Sequence, residues 1–289
     1  MAASVFRPYV ELTKPRIMTM VLVTTTLGFA LGGGNGIQPI DLLLFTLIGT
    51  GFASAGAGVL NHYLERDVDA LMDRTRNRPL PMGLVRPWVA LLYGGLLIIA
   101  GGAVLYFRAN ALAAALALSS ALLYVLIYTP MKKVTWLNTP IGAVPGALPP
   151  MIGWAAVSGR LELGAWVLFF ILFLWQHPHF YAIAWMFRDD YVRGGFKMLP
   201  VVQPDGKSTF RQSLSAALIL IPVSLWPTFV RMTGWFYFFG ALVIGFWFLA
   251  ACVRWRVSES TLDARKVLRV SVIYLPVLLL LILVDSYLK

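Results

Sequence analysis

Residues 61–74 read Asn61-His62-Tyr63-Leu64-Glu65-Arg66-Asp67-Val68-Asp69-Ala70-Leu71-Met72-Asp73-Arg74, four carboxylates closing an apolar segment in a chain that is 59% hydrophobic. Acid this dense beside a membrane span needs a cation. On a helix, Asn61, Glu65 and Asp69 fall one turn plus about 40° apart, so all three share a face at steps of roughly 6 Å along the axis. Such oxygen donors suit one or two divalent ions. Asp73 drifts off that stripe and Asp67 points elsewhere. Like charges this close repel unless a metal or the nearby Arg66, Arg74, Arg76 and Arg78 neutralise them. The competing reading is a solvated loop of mixed charge, and the rarity of charge at membrane depth weighs against it.

Working outward, the mean hydropathy is +0.75 and only 13% of residues are charged. A helix needs about 20 apolar residues to cross the hydrocarbon. Nine such runs occur, centred near Thr25, Gly51, Leu97, Ser119, Ala147, Leu172, Leu220, Val243 and Leu278. The fold class is therefore an all-α polytopic membrane protein with nine transmembrane helices, and residues 1–289 read as a single transmembrane domain. The fifth run carries Pro140, Pro145, Pro149 and Pro150, which predicts a kinked or broken helix whose freed backbone groups face protein. Small residues from Gly49 to Gly58 allow close helix approach, a reading that ordinary packing also satisfies.

Sorting the 24 Lys and Arg residues into alternate connections puts 20 on the amino-terminal side and only Arg108, Arg160, Arg231 and Lys289 on the other. The positive-inside rule then sets the amino terminus in the cytoplasm and the carboxyl terminus outside. Eight spans would mix the two sets. The net charge of +11 is thus mostly topology and gives little reason to expect nucleic acid as a partner. The first span has basic residues before an apolar run, as a signal peptide does, but its removal would break the charge pattern, so it is expected to stay. Cys252 alone makes no intramolecular disulfide.

The longest inner loops, residues 63–87 and 188–208, hold most of the candidate chemistry. They lie four spans apart and hence on one side, so a weak parallel repeat would let two half-sites face one another. The second half-site reads Leu174-Trp175-Gln176-His177-Pro178-His179-Phe180, then Arg188-Asp189-Asp190-Tyr191 and Met198-Leu199-Pro200-Val201. His62, His177 and His179 are the only histidines. His62 reads first as a packing residue. Pro178 marks a kink, and an imidazole beside it suits a transition metal or haem iron. Arg74, Arg78 and Lys132 in Tyr128-Thr129-Pro130-Met131-Lys132-Lys133 are placed to meet an anionic group, although inner loops are basic in any case.

These residues carry a resemblance. The chain resembles the protohaem IX farnesyltransferase branch of the UbiA superfamily of intramembrane prenyltransferases over nearly its whole length. The likeness rests on Leu12-Thr13-Lys14-Pro15-Arg16, on residues 61–79 with their Arg-Thr-x-Asn-Arg-Pro-Leu ending, and on Tyr128-Thr129. It continues through Asn138, Gly142, Gly146, Pro149-Pro150, Gly153-Trp154, Trp175-Gln176-x-Pro178-His179-Phe180, Asp190-Tyr191 and Met198-Leu199-Pro200-Val201. Three departures stand out. Glu65 occupies a usual Asp position, Asp190 is followed four residues later by Gly194 rather than a second Asp, with Asp189 as a substitute, and Lys197 stands where Pro is expected.

The resemblance implies a UbiA-type bundle and transfer of farnesyl from farnesyl diphosphate to a vinyl group of haem B. It implies Mg2+ held by Asn61, Glu65, Asp69, Asp73 and Asp190, with Arg74, Arg78 and Lys132 stabilising diphosphate, so that the catalytic set is Asn61, Glu65, Asp69, Arg74, Arg78, Lys132 and Asp190. Trp175, Gln176, His177, His179 and Tyr128 are the expected haem-binding residues. Implied partners are the lipid bilayer and haem A synthase or haem–copper oxidase assembly factors, in a prokaryotic inner membrane. The rival readings are a transporter, a prenyltransferase with a quinone precursor as acceptor, and an alcohol phosphotransferase. A transporter would centre its charges at mid-depth. The phosphotransferase pattern is absent, since Ala70 follows Asp69.

Overall fold

The computed structural model describes residues 2–34 and 38–288, and of residues 2–5 and 287 the backbone alone. Lys289, one of the four outer cations above, lies outside the described residues. A short helix α1 (Ala2–Leu12) leads into α2 (Pro15–Gly32), then α3 (Ile40–Asp69) and α4 (Pro87–Arg108). The next span joins α5 (Ala111–Leu122), a π-helical stretch (Leu123–Tyr128) and α6 (Thr129–Met131). The fifth is α7 (Asn138–Ala147) plus α8 (Pro149–Ser158). Then come α9 (Leu163–Met186), the short α10 (Arg188–Arg193) and α11 (Leu199–Val202), and the long α12 (Lys207–Phe229), α13 (Trp235–Ser258) and α14 (Thr261–Leu288). Among the described residues nine segments are long and apolar enough to cross a membrane, and each contains one of the predicted centres.

The fifth span breaks at Leu148, as its prolines require. Pro149 has no N–H to give the Pro145 carbonyl, and Ser120 Oγ donates to that oxygen instead at 2.9 Å. The freed group is thus satisfied by protein. Pro178, by contrast, does not break its helix: α9 runs unbroken from Leu163 to Met186. α9 packs chiefly against α12 and α14.

Two packing centres position the site. The larger lies among α7, α8, α9, α12, α13 and α14 around Leu168, Tyr181, Phe248, Trp255 and Tyr274. The other joins α2, α3, α4, α5 and α8 through Phe29, Ala53, Leu105, Ala117 and Ile152. Backbones meet closely here: a Cβ on Gly153 of α8 would stand 1.9 Å from the Thr25 carbonyl of α2, and one on Gly101 of α4 would stand 2.5 Å from the Gly49 carbonyl of α3. The small residues of α3 thus serve packing on one side. Thr50, Ala53, Ser54, Ala57 and Gly58 leave a cavity on another.

Candidate active site

The last three turns of α3 carry Asn61, Glu65 and Asp69, all buried, as the one-face reading requires. Each meets a cation from elsewhere in the chain. Asp69 binds Arg78 Nη1 with both carboxylate oxygens at 2.8 Å. Glu65 Oε1 accepts from Lys132 Nζ at 2.7 Å. Asn61 Oδ1 accepts from Lys14 Nζ, while its Nδ2 donates to Thr129 Oγ1 at 2.9 Å. The nearby loop is fastened by Thr75 Oγ1 donating to the Asp69 carbonyl at 2.9 Å. The charges lie at helix ends rather than at mid-span, which disfavours the transporter reading.

Lys14 was absent from the expected site residues, and three features of the structure single it out. It has a left-handed backbone (φ 53°) between α1 and α2, a conformation costly for a residue with a Cβ and retained where surroundings hold it. Burial pulls its ammonium down to about 7, against the pull of Glu65 in the other direction. Its Nζ also lies 3.4 Å from the Tyr124 hydroxyl. The one sequence signal was a lysine inside Leu12-Thr13-Lys14-Pro15-Arg16, at the mouth of a span. For Lys132, burial lowers the pKa, but Glu65 and the Tyr128 and Tyr124 hydroxyls raise it, and the net direction is upward.

Tyr124 and Tyr128 sit on the π-helical stretch with ring centroids 5.2 Å apart. Pro130, two residues past its end, has no N–H for the carbonyl four residues earlier, which favours such a local widening. Lys132 Nζ lies 4.6 Å from the Tyr128 ring centre, a cation–π contact. Tyr128 in turn abuts Gly142, where any Cβ would meet the ring at 2.4 Å.

The second half-site does face the first. Asp190 accepts from the Asp73 backbone N–H at 3.1 Å and from Arg193, and Arg193 also reaches Asp73 Oδ2 at 2.7 Å. The Arg193 hydrogen bond helps hold the Asp190 carboxyl below the usual range, overcoming the opposing effect of burial. Asp73 itself is largely exposed and also pairs with Arg76 at 3.4 Å. Arg74 is exposed, donating to the Tyr191 hydroxyl at 3.3 Å. Asp189, the expected substitute for the second acid, has its side chain 88% exposed and lies 3.9 Å from Arg188 Nε. Gly194 takes that position for a steric reason: a Cβ there would stand 2.9 Å from Val68 Cγ1. Lys197 is also explained, since its N–H donates to the Lys132 carbonyl at 2.6 Å, a bond that proline lacks.

Within the Trp-Gln-x-Pro-His element, Trp175 and His179 face α14 while Gln176 faces α7. Trp175 Nε1 donates to the Ser271 carbonyl of α14 at 2.8 Å, and its ring stacks on His179 at 4.9 Å. His179 Nδ1 lies 2.8 Å from Ser271 Oγ, whose proton is directed to the Leu268 carbonyl. That arrangement makes Nδ1 the protonated nitrogen and leaves the Nε2 lone pair for a ligand. His177 Nδ1 donates to the Phe173 carbonyl at 2.7 Å, with the same result. Gln176 turns toward α7, donating to the Ala143 carbonyl at 3.2 Å and pressing against Gly146. His62 is buried, and its Nδ1 has no hydrogen-bond partner among the described residues.

A cavity opens beside Lys14 and Tyr124 and runs between α2, α3, α5, α7 and α8. Its deeper wall is apolar or small, including Val21, Ala53, Ala117 and Ile152. Charge at one end and hydrocarbon at the other describe a site for an amphiphile with an anionic head.

Residues 21–273 match the UbiA prenyltransferase family. The chain belongs to that family. It is a prenyltransferase and an integral membrane protein. A protoheme IX farnesyltransferase from Solibacter usitatus is 47% identical over 96% of this chain and 98% of its own. Among solved structures, a digeranylgeranylglyceryl phosphate synthase matches with a TM-score of 0.83 at 19% identity, covering 99% of this chain and 100% of the other. A UbiA homolog from Archaeoglobus fulgidus bound to GPP and Mg2+ matches at 0.66 with 16% identity, over 95% of this chain and 99% of the other. These two likenesses show the fold.

The UbiA stripe of Asn61, Glu65 and Asp69 has the right donor chemistry for magnesium, which takes hard oxygens. Among the described residues no three His, Cys, Asp or Glu side chains gather into a cage. Magnesium keeps several waters and is commonly bound through one or two carboxylates together with substrate phosphates.

Proposed function

We propose that this chain transfers the farnesyl group of farnesyl diphosphate to a vinyl group of protohaem IX, giving haem O and releasing diphosphate. The observation that carries the reading is the polar cluster of Asn61, Glu65, Asp69, Arg78 and Lys132, joined to the apolar cavity through Lys14, which lines the cavity and donates to Asn61. The full-length likeness to protoheme IX farnesyltransferases selects haem over a quinone precursor as acceptor.

The C–O bond of the allylic ester breaks and the electron pair leaves with diphosphate. The terminal vinyl carbon of haem B then bonds to farnesyl C1, water adds at the other vinyl carbon, and a proton is lost, leaving a hydroxyethylfarnesyl side chain. Magnesium, when bound, would supply charge neutralisation to the diphosphate. Asn61, Glu65 and Asp69 would hold it, with Asp190 and the adjoining Asp73 from the facing loops. Lys132 and Arg78, paired here with Glu65 and Asp69, would turn toward the diphosphate, and Arg74 would meet it from the surface. Fixed charges in a water-poor site lower the barrier because they need no reorganisation as the leaving group develops charge. The Tyr124 and Tyr128 rings face the same end and would stabilise the allylic cation. The cavity would take the farnesyl tail. His179 and His177 would offer Nε2 to the haem iron, with Trp175 and Gln176 fixing their surroundings.

The whole chain would act as one domain in a prokaryotic inner membrane, amino terminus inside and carboxyl terminus outside, and would pass its product to a haem A synthase or an oxidase assembly factor. The test is an assay of purified protein with haem B, farnesyl diphosphate and magnesium, with products resolved by mass. Wild type should yield farnesylated, hydrated haem. Asp69→Ala should lose about 10²-fold or more in kcat. An active Asp69→Ala would remove the metal assignment, and an inactive wild type that still binds haem would indicate a haem carrier.

A further inference from the structure

A second opening lies between α13 and α14, and the proposed reaction makes no use of its lining residues. It is lined by Trp247, Ala250, Ala251, Val270 and Ile273, with Arg254, Lys266, Arg269 and Asp263. Three cations against one carboxylate leave the groove positive.

The charges are ordered. Asp263 is buried and accepts from Lys266 Nζ at 2.7 Å and lies 3.3 Å from Arg254 Nε, so one acid holds two cations side by side. Arg269 is exposed and makes no hydrogen bond or ion pair among the described residues. It stands eight residues into α14, about 12 Å along the axis from the helix start. An arginine at that depth on a membrane helix calls for an anion or a path to water. The groove also changes character along its length. Arg254, Asp263 and Lys266 lie near the α13–α14 turn, whereas Trp247, Val270 and Ile273 lie farther into the spans.

We propose that this groove is a binding site for an anionic phospholipid, with its phosphate between Arg254, Lys266 and Arg269 and one acyl chain along Trp247 and Ile273. A basic notch at the membrane surface that continues into an apolar furrow matches that ligand in both charge and polarity gradient. A zwitterionic lipid offers the same chain but no net charge, and free phosphate offers the charge but no chain.

The experiment is native mass spectrometry of the full-length protein in detergent, titrated separately with phosphatidylglycerol, phosphatidylcholine and inorganic phosphate. Wild type should retain one phosphatidylglycerol in clear preference to phosphatidylcholine. Arg269→Gln should weaken that retention about fivefold, and Lys266→Gln with Arg269→Gln by roughly the square of that, at about one such factor per cation removed. Arg269→Gln leaves the Asp263 pairs intact and, lying outside the prenyl-transfer machinery, should retain wild-type melting temperature and transferase activity. Equal retention of the two lipids, or unchanged retention in the double variant, overturns the proposal. Displacement of phosphatidylglycerol by inorganic phosphate with no chain requirement assigns the groove to a soluble phosphate and overturns it as well. None of these readouts depends on the acceptor being haem.

Discussion

Glu65 is buried and Lys132 is largely so, at 6% and 13% side-chain exposure, and each is the other's ion-pair partner. Removing one member leaves an uncompensated charge, which costs about 3–5 kcal/mol in buried pairs. Lys132→Met should therefore lower the unfolding temperature in detergent, and adding Glu65→Gln should recover part of the loss. If the single variant melts like wild type, the pair is solvated and its role in positioning is mistaken. At the acceptor side, Ser271 holds the tautomer of His179. Ser271→Ala should weaken haem B binding about tenfold in a Soret titration, as loss of a residue that orients a metal-ligating histidine does. Unchanged affinity would transfer the iron to His177. These residue-scale features were unequally visible in sequence. The four-residue spacing of Asn61, Glu65 and Asp69 is a local property of one helix, so it could be read directly. Lys14 and Tyr124 reach the same cluster from separate elements, and no local pattern announces that.

At the scale of elements, α3 has two working sides. Gly49 is pressed against α4, while Ser54 lines the cavity seven residues, about 10 Å of helix, before Asn61. Ser54→Phe should block the cavity at that level. Its kcat/KM should fall for farnesyl diphosphate relative to geranyl diphosphate by about tenfold or more, within the range that small volume changes in apolar pockets produce. An unaltered ratio would place the tail elsewhere. The fifth span was legible as broken because proline removes a donor wherever it occurs. The α9 span was legible as one segment by its apolar length, and Pro178 lies within it without interrupting it, in a helix packed on α12 and α14 from distant sequence. The π-helical stretch before Pro130 was unannounced, although the proline supplies its cause.

For the whole molecule, the asymmetry of basic residues between alternate connections is the quantity to test. Reporter fusions in a bacterial host should give an alkaline phosphatase that is active after residue 288 and inactive in the 63–87 loop. The reverse pattern would invert the site relative to the cytoplasm. The two acidic loops, separated by four spans in sequence, do meet in space through Asp73, Asp190 and Arg193.

The sequence by itself determined the class, the nine spans and the acidic stripe, because apolar length and helical period act within each segment and need no information from elsewhere. Only the tertiary structure decided which cation meets which carboxylate, that Asp189 stays in solvent while Gly194 fits against Val68, and where Trp175, Gln176, His177 and His179 point. Those outcomes depend on contacts between residues far apart in the chain, set by helix packing rather than by any one helix.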